Sequence, residues 1–365
     1  MSQVKLTAVG DMILHTRSGE PPLTRINTAL KDKDILFGNL ETVLSERGIA
    51  AEKAVVFRAP PGNVKYLVDA GFDVLNIANN HVLDMGEEAL IDTVLTLKRA
   101  RIPYVGVRTP ECNETYRAME RNGIRVCFLG YYGRSRRKSG GRIGITPVQE
   151  DIILQDVSRL KEECNHVVVS LHWGTENVFY PAPWQIQLAH RIIDAGATVI
   201  LGHHPHSIQG IENYNNGLIA YSPGNFQIRF NPAKCQGRRI IRTSQSFILK
   251  VILDEAGMVS HDIVPVEIDG DWQPFVPEAA AGEEIRNFIS AASEPLAEKR
   301  INDNWWYEQI AREYLSGNFD SAMICIRRYG FRHLVQCCYW LMSPLCIRCY
   351  LGLARRFIKK VIRQK

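Results

Sequence analysis

The chain has 365 residues, of which 45% are hydrophobic and 23% are charged, and its formal net charge is +5. This composition excludes a disordered, collagen-like or multi-span membrane protein and is typical of one large globular domain or two smaller ones. The nine cysteines are odd in number and five lie near the C-terminus, which indicates free thiols in a reducing compartment. The first residues lack the pattern of a secretion signal, and this predicts a cytoplasmic protein.

Two apolar segments near the N-terminus each end in a carboxylate. Residues 4–9 lead into Asp11, and residues 34–40 lead into Glu41. Carboxyl ends of strands are where open α/β sheets hold their functional sites. A single aspartate in the position of Asp11 is usually a turn residue, and a single glutamate in the position of Glu41 is usually a solvated or capping residue. Each is therefore a candidate site residue only in combination with the others.

A third apolar segment, residues 72–78, runs into two asparagines and a histidine. Asn80 can offer a carbonyl oxygen to a metal ion, and His81 beside it is available for proton transfer. Asp84 can orient His81 or cap the helix that helical spacing predicts over residues 86–100. The structural alternative is an Asx turn that caps this helix.

Asn122-Gly123 predicts a hairpin between residues 116–121 and 125–130, so we expect mixed sheets. The next segment, residues 133–142, is basic and rich in glycine and serine, which predicts a loop. Such a loop is usually only solvated. If it overhangs the site, its arginines attract phosphate or a polyanion.

Histidines follow two further apolar segments. Residues 166–171 end at His172, and residues 199–201 end at Gly202, after which three histidines occur within four residues. In extended backbone, His204 and His206 would leave the chain on the same face. Neutral imidazole is the commonest metal ligand in proteins. The carboxyl ends of these two predicted strands are therefore a candidate metal site.

The last eighty residues differ in character from the rest of the chain. Their pattern predicts three helices, at residues 285–299, 305–315 and 319–341. The uncharged stretch 334–347 is shorter than the roughly 20 residues that span a bilayer, and Pro344 interrupts it. The basic tail is compatible with an amphipathic surface on an anionic membrane, and equally with a helical cap or a partner-binding surface.

Six positions at predicted strand ends form the candidate ligand set. Carboxylates, an amide and imidazoles together suit Mn, Fe or Zn rather than Ca. They are too many for one tetrahedral ion, whereas two divalent ions bridged by a carboxylate would use them all and would clamp the oxygens of a phosphoester. The six are Asp11, Glu41, Asn80, His172, His204 and His206.

Six motifs, in this order, resemble the bacterial capsule-synthesis family of the CapA or poly-γ-glutamate type, part of the calcineurin-like metallophosphoesterase superfamily. They are Gly-Asp at 10–11, Gly-Asn-Leu-Glu at 38–41, Asn-Asn-His at 79–81, His-Trp-Gly at 172–174, Gly-His-His-Pro-His at 202–206 and Ser-Pro-Gly-Asn-Phe at 222–226. The resemblance covers residues 3–268. It implies a four-layer α/β/β/α sandwich over residues 1–270, followed by a helical extension over 271–365.

The resemblance also implies roles for individual residues. Asp11 and His206 would hold one metal ion and Glu41 would bridge. The second ion would be held by Asn80, His172 and His204. His81 would be the general acid, with Asp84 as its partner. One departure is Ile13, where the superfamily usually has a histidine. We expect the substrate pocket to include His203, Trp173, Glu176, Asn225, Arg17 and Arg134.

Two functional hypotheses follow. The first is a metal-dependent phosphoesterase that acts in the synthesis of poly-γ-glutamate or a capsule polysaccharide. The second is a non-catalytic accessory protein that docks an anionic polymer or the inner face of a membrane through the basic tail. Nucleic acid is not expected as a partner, since the basic residues lack interleaved aromatic residues and the net charge is modest.

Overall fold

We analysed a computed structural model, which describes residues 2–109, 115–133, 138–139, 143–228, 243–330, 335 and 339–363. Most of the predicted basic loop, including Arg134, lies outside these residues. The strands, in chain order, are β1 (Gln3–Met12), β2 (Ile35–Leu40), β3 (Val43–Leu44), β4 (Arg58–Ala59), β5 (Val74–Asn76), β6 (Tyr104–Val105), β7 (Val107–Arg108), β8 (Tyr116–Arg121), β9 (Ile124–Tyr132), β10 (Lys138–Ser139), β11 (Ile143–Ile145), β12 (His166–His172), β13 (Val199–His203), β14 (Ile211–Tyr214), β15 (Gly217–Ala220), β16 (Asn225–Gln227), β17 (Gln245–Asp254), β18 (Met258–Ile268) and β19 (Pro274–Phe275). The helices are α1 (Val64–Ala70), α2 (Glu87–Arg99), α3 (Glu150–Leu160), α4 (Pro183–Asp194), α5 (Ala279–Ala297), α6 (Asp303–Tyr329) and α7 (Pro344–Arg363).

Two large sheets form the body of the molecule. The first has the order β19-β18-β17-β1-β2-β5-β6, with β16 also paired to β1, and the second has the order β14-β15-β13-β12-β9-β8. The strands β1, β2, β5 and β6 are parallel to one another, and so are β9, β12, β13 and β15. The hairpin predicted around Asn122-Gly123 is confirmed, because β8 and β9 pair antiparallel.

The two sheets pack face to face through side chains that are shielded from water. Leu6 and Phe37 of the first sheet meet Phe128, Val168 and Leu201 of the second in one buried cluster. The rings of Phe37 and Phe128 stack with centroids 5.6 Å apart. Burying each such side chain contributes roughly 1.5–3 kcal/mol, so this layer fixes the register of the two sheets relative to each other.

Helices cover both outer faces, which confirms the predicted α/β/β/α sandwich. On the first sheet, α1 and α2 bury Leu67, Leu90 and Leu97 against the sheet's outer face. On the second, α3 and α4 bury Val157 and Ile192 in the same way. Each helix presents apolar residues at helical spacing to one side only, as a helix that covers a sheet must.

Three helices follow the sandwich. Helix α5 inserts Ile285 and Ile289 into the cluster between the sheets. The next two helices, α6 and α7, form a unit that we call the C-terminal pair. The break predicted between residues 315 and 319 is wrong, since α6 runs unbroken through Gly317. Tertiary packing on α7 and on the loop after β12 compensates for the low helix propensity of this glycine.

Two further observations concern cysteines and membranes. The expectation that the thiols are free is wrong for Cys127 and Cys164, which form a disulfide between β9 and the turn after α3. Cys346 and Cys349 are buried free thiols. Among the described residues, no helix combines the length and apolar character needed to cross a bilayer.

Candidate metal centre

The six predicted ligands meet at one rim of the sandwich. Asp11 lies near the end of β1, Glu41 directly follows β2, and Asn80 follows β5 in the first sheet. In the second sheet, His172 ends β12, His203 ends β13, and His204 and His206 follow β13. Because these strands are parallel within each sheet, their carboxyl ends share an edge, and packing of the sheets brings the two edges together.

One group of possible ligands consists of Asp11, Glu41 and His206, whose ligand atoms lie within 4.8 Å of one another. His206 Nδ1 is 3.4 Å from Asp11 Oδ2, and His206 Nε2 is 3.7 Å from Glu41 Oε1. A second group, Glu41, His172 and His204, meets the same limit. Glu41 belongs to both groups, as a bridging carboxylate would.

Asn80 and Glu176 extend the two groups. Asn80 Oδ1 lies 2.8 Å from His172 Nε2, which places the amide oxygen at the second group. Glu176, expected in the substrate pocket, forms a third group with His204 and His206 within the same 4.8 Å limit. Glu176 is therefore also placed as a possible ligand, and its position after His172 is the only signal of this role in the sequence.

The surroundings of the Glu41 carboxylate indicate that this cluster can hold a cation. Its carboxylate is completely buried, and neither oxygen has a hydrogen-bond partner among the described residues. The nearest imidazole nitrogens, of His172, His206 and His81, lie 3.5–4.0 Å from Oε1. Burial raises the pKa of Glu41 well above its ordinary value. A buried carboxylate without partners is costly, and a divalent cation between the groups would satisfy both oxygens.

The imidazoles fit the same interpretation. Burial lowers the pKa of His172 well below its ordinary value and lowers the pKa of His204 to about 4. Both rings are therefore neutral at pH 7, the form in which imidazole binds metals. Burial also acts to lower the pKa of His206, but Glu41, Asp11 and Glu176 outweigh it and raise this pKa to about 10. The carboxylates thus favour positive charge at this point.

Two asparagines orient the ligands. The amide oxygen of Asn225 lies 2.9 Å from His206 Nδ1, which directs Nε2 of that ring toward Glu41. Asn39 Nδ2 donates to Asp11 Oδ1 over 2.7 Å and lies 3.3 Å from His172 Nδ1. We did not predict a role for Asn39. Its position in an apolar segment, two residues before Glu41, was a signal in the sequence that could have indicated one.

His81 stands beside the metal ligands and is held by Asp84. His81 Nδ1 is 2.6 Å from Asp84 Oδ2, and Nε2 is 4.0 Å from Glu41 Oε1. Asp84 also accepts the backbone N–H of Phe57 over 2.7 Å and a bond from Lys53 Nζ, which donates as well to the Asn80 carbonyl over 2.8 Å. Lys53 and Phe57 lie in a loop whose sequence shows no pattern, so neither was predicted.

The backbone at the histidines differs from the prediction. His204 has φ +97° and His206 has φ +55°, so the prediction of extended backbone is wrong for both. A turn, not strand alternation, brings the two rings to a centroid distance of 6.0 Å. Just before this turn, Gly202 in β13 permits a close approach of the Tyr221 backbone, because a Cβ there would lie 1.9 Å from the Tyr221 carbonyl oxygen.

Of the residues predicted to line the substrate pocket, His203 and Trp173 are buried, whereas Arg17 is exposed and contacts a different part of the molecule. His203 is buried with Nδ1 3.2 Å from Asp11 Oδ1, and Trp173 is buried with its ring stacked on Tyr221. Arg17 is exposed and donates to the Gly270 carbonyl, so its observed contact is with the turn after β18 and not with the ligands.

Ile13, at the position where the superfamily usually has histidine, is buried in a small apolar cluster. Its neighbours there are Phe57, Ile228, Ile268 and Trp272. The first group of ligands therefore receives no imidazole from this position, and its nitrogen donor is His206.

A cleft of about 1040 Å³ opens beside the metal centre, and His172 and His204 are the ligands that line it. We use the term metal centre for the six candidate ligands Asp11, Glu41, Asn80, His172, His204 and His206. One of its walls is the sandwich rim, with His172 and His204, and the start of α4. The other wall is the C-terminal pair, which contributes Tyr307 and Arg348 among others. The helical extension thus borders the space in which a substrate would reach the ligands.

The fold is an α/β/β/α sandwich that gathers possible metal ligands at one rim. Comparison with known proteins places the chain more narrowly: residues 5–229 match the family model described as bacterial capsule synthesis protein PGA_cap. The chain therefore belongs to this family.

Two relatives illustrate its place in the family. The chain is 32% identical over 301 residues to the capsule biosynthesis protein CapA of Bacillus anthracis, covering 74% of this chain and 69% of CapA. It is 30% identical over 250 residues to the PGA biosynthesis protein CapA of Bacillus subtilis, covering 67% and 64% respectively. The chain thus spans about two thirds of the length of these relatives.

Similar solved structures are more distant. A hypothetical protein from Thermus thermophilus aligns at 16% identity and a TM-score of 0.45, covering 72% of this chain and 99% of that one. A 5'-nucleotidase from Candida albicans aligns at 14% identity and a TM-score of 0.43, covering 80% and 58%.

Proposed function

We propose that the protein is a metal-dependent phosphoester hydrolase that acts in the biosynthesis of a bacterial surface polymer. The supporting observation is the Glu41 carboxylate, which is buried, lacks hydrogen-bond partners among the described residues and is shared by two groups of possible ligands. Names of relatives that refer to capsule and PGA biosynthesis support the polymer context.

The ligands would hold two divalent ions of the Mn, Fe or Zn type. When bound, such ions supply Lewis-acid polarisation of a phosphoryl oxygen and lower the pKa of a water molecule. Glu41 would bridge the two sites and Asn225 would keep His206 in its orientation. The first site would consist of Asp11, Glu41 and His206, and the second of Glu41, Asn80, His172 and His204.

In this proposal, His81 would protonate the leaving oxygen. Burial lowers the pKa of His81, and Asp84 opposes this effect through its bond to Nδ1. Asp84 therefore favours the protonated ring that a general acid requires, and it also fixes the ring so that Nε2 faces the metal centre. Lys53 and the Phe57 amide hold Asp84 in turn.

The test is hydrolysis of p-nitrophenyl phosphate and bis(p-nitrophenyl) phosphate by protein loaded with Mn²⁺, Fe²⁺ or Zn²⁺. We expect turnover that EDTA abolishes and that Glu41→Gln lacks. His261→Ala, which removes a histidine of β18 outside the metal centre, is the matched control and should retain activity. Protein that binds metal but hydrolyses neither substrate with any of the three metals would contradict the proposal.

We further propose that α7 docks the protein on an anionic membrane surface, because two of its features favour this role. Its outward side exposes apolar residues, and no acidic residue occurs from 321 to the end of the chain. Apolar side chains flanked by cations are the pattern of helices that lie in the membrane interface. The exposed apolar residues of α7 are Ile347, Tyr350, Leu351, Leu353, Phe357, Ile358, Val361 and Ile362.

Co-sedimentation with vesicles tests this docking. We expect binding to phosphatidylglycerol vesicles but not to phosphatidylcholine vesicles, with weaker binding at high salt. Phe357→Glu should abolish the binding, whereas Leu95→Glu, a control on the exposed side of α2, should leave it unchanged. Equal binding by wild type and Phe357→Glu would show that α7 is not the docking element.

A further inference from the structure

The cleft between the sandwich rim and the C-terminal pair is much larger than a phosphoryl group. Its volume is about 1040 Å³, and the metal centre occupies only the end formed by His172 and His204. Small-molecule sites typically have volumes of about 300–1,000 Å³, so this cleft has room for a chain of several rings or residues. Whatever fills its far end contacts Tyr307 and Arg348, which are part of α6 and α7.

One wall carries a rigid aromatic platform. Trp184, at the start of α4, has 37% of its surface exposed. Its ring stands edge-on to Trp173, with centroids 6.0 Å apart and an interplanar angle of 87°. Trp173 is buried and stacks on Tyr221 with an angle of 8°. The exposed indole is therefore held by a packed column of aromatic rings, which lowers the entropy lost when a ligand packs against it.

Positive and negative charges of the cleft stand close to one another. Arg191 makes a bidentate bond with Glu150, over 2.6 and 2.7 Å. Arg348 lies over the Tyr307 ring at 5.7 Å and donates to its hydroxyl over 3.3 Å, and the carboxylate of Asp303 acts on the same guanidinium. Among the lining residues that the structure describes, these two arginines and two acids cancel in charge, so they offer planar hydrogen-bonding groups without excess positive charge.

We propose that this cleft binds the glycan part of a phosphorylated carbohydrate whose phosphoester lies at the metal centre; this deepens the proposed function and rests on it. One face of a sugar ring carries C–H groups that pack on an indole, and the hydroxyls around its edge bond to paired arginines and carboxylates. A chain with a carboxylate on every residue would find Arg191 already paired with Glu150, and Arg348 already beside Asp303. The C-terminal pair is then the second wall of the binding site and confers selectivity for substrates several rings long.

Direct binding tests the proposal separately from catalysis. Chitotetraose, maltotetraose and γ-linked tetraglutamate would be titrated into the full-length protein, with Trp fluorescence and calorimetry as readouts. We expect at least one of the two sugars to bind and tetraglutamate not to bind. Trp184→Ala and Tyr307→Leu should each weaken sugar binding by about tenfold. Tyr350→Ala, which removes an exposed aromatic ring of α7 outside the cleft lining, should leave binding unchanged.

The outcomes separate the two proposals. Sugar binding that depends on Trp184 and Tyr307, without hydrolysis of the nitrophenyl phosphates, would refute the hydrolase and support the cleft assignment. Hydrolysis without binding of either sugar would refute the cleft assignment alone. Tetraglutamate binding that Trp184→Ala weakens would overturn the carbohydrate class. Sugar binding equally weakened by Tyr350→Ala would place the ligand outside the cleft.

Discussion

The metal centre and the C-terminal pair face each other across one cleft, yet they are held in different ways. The ligands of the metal centre follow strands whose side chains are buried in clusters on both faces of the sheets. The C-terminal pair rests on one small cluster around Trp306, Ile310 and Cys346, and most of α7 is exposed. The comparison indicates that the rim is fixed by the whole fold, whereas the pair can be loosened by itself.

The difference also explains what each region can do. A metal site needs ligand atoms placed to within a fraction of an ångström, and such placement requires side chains locked by packing and hydrogen bonds. A wall that selects long substrates, or a helix that lies on a membrane, needs only an exposed surface of the right chemistry. Substitutions can therefore be chosen that disturb one region and leave the other intact.

The largest effect is expected from Glu41→Gln. The substitution keeps the size of the side chain but removes the charge shared by both groups of ligands. We expect loss of most bound metal, measured by elemental analysis, and loss of phosphoesterase activity, while the circular dichroism spectrum remains that of the wild type. Glu212→Gln, a carboxylate remote from the ligands that bonds His190, serves as the control. Full metal content in Glu41→Gln would refute the bridging role.

His81→Ala should separate catalysis from metal binding. We expect kcat for a phosphomonoester to fall by about 10²–10⁴-fold, the usual contribution of a general acid, with the metal content unchanged. For a substrate whose leaving group needs no protonation, kcat should fall much less. The difference between the two losses in kcat measures the contribution of His81 as a general acid. If kcat falls equally for both substrates, His81 has a positioning role in the metal centre and does not donate the proton.

The sequence predicted the rim well because the physical constraints there are local. Each ligand follows an apolar β-branched or leucine-rich run, and parallel strands bring such ends to one edge. The sequence analysis failed where the constraint is tertiary, since Lys53 and Phe57 reach Asp84 from a loop without a recognisable pattern. Glu176 was expected only as a pocket residue, and its place beside His204 and His206 depends on the path of a loop. The turn at His204 and His206 was also missed, since their positive φ values depend on contacts of the folded chain.

The C-terminal pair was predicted less accurately. Helical spacing indicated the helices, but their ends and the continuity of α6 depend on packing against α7 and on the loop that contains Val178. Nothing in the sequence indicated that Tyr307 and Arg348 border the same cleft as His172, because that neighbourhood arises only from the docking of the pair on the sandwich.

Trp306→Ala should loosen the C-terminal pair and leave the rim intact. Trp306 is 4% exposed and donates its indole N–H to the Tyr180 carbonyl over 2.9 Å. Removing such a side chain costs roughly 3–5 kcal/mol. We expect faster amide hydrogen exchange in α6 and α7, with metal content and exchange in β1 and β13 unchanged. Equal loss of protection in the strands would mean that the pair and the sandwich unfold as one unit.

The smallest effect is expected from Lys359→Met. Lys359 Nζ donates to both carboxylate oxygens of Glu308, over 2.9 and 2.7 Å, but its side chain is 63% exposed. The Glu308 side chain is only 8% exposed, but the lysine end of the pair is open to water, which can solvate the carboxylate in its place. We therefore expect a contribution of about 1 kcal/mol, the upper end of the range for surface pairs, and salt weakens it. Chemical denaturation at low salt should therefore show a small loss of stability that disappears at high salt. Lys360→Met is the control, because it changes the net charge by the same amount at the neighbouring residue of α7. A loss of the same size in both variants would assign the effect to net charge and would show that the Lys359–Glu308 ion pair does not hold α7 to α6.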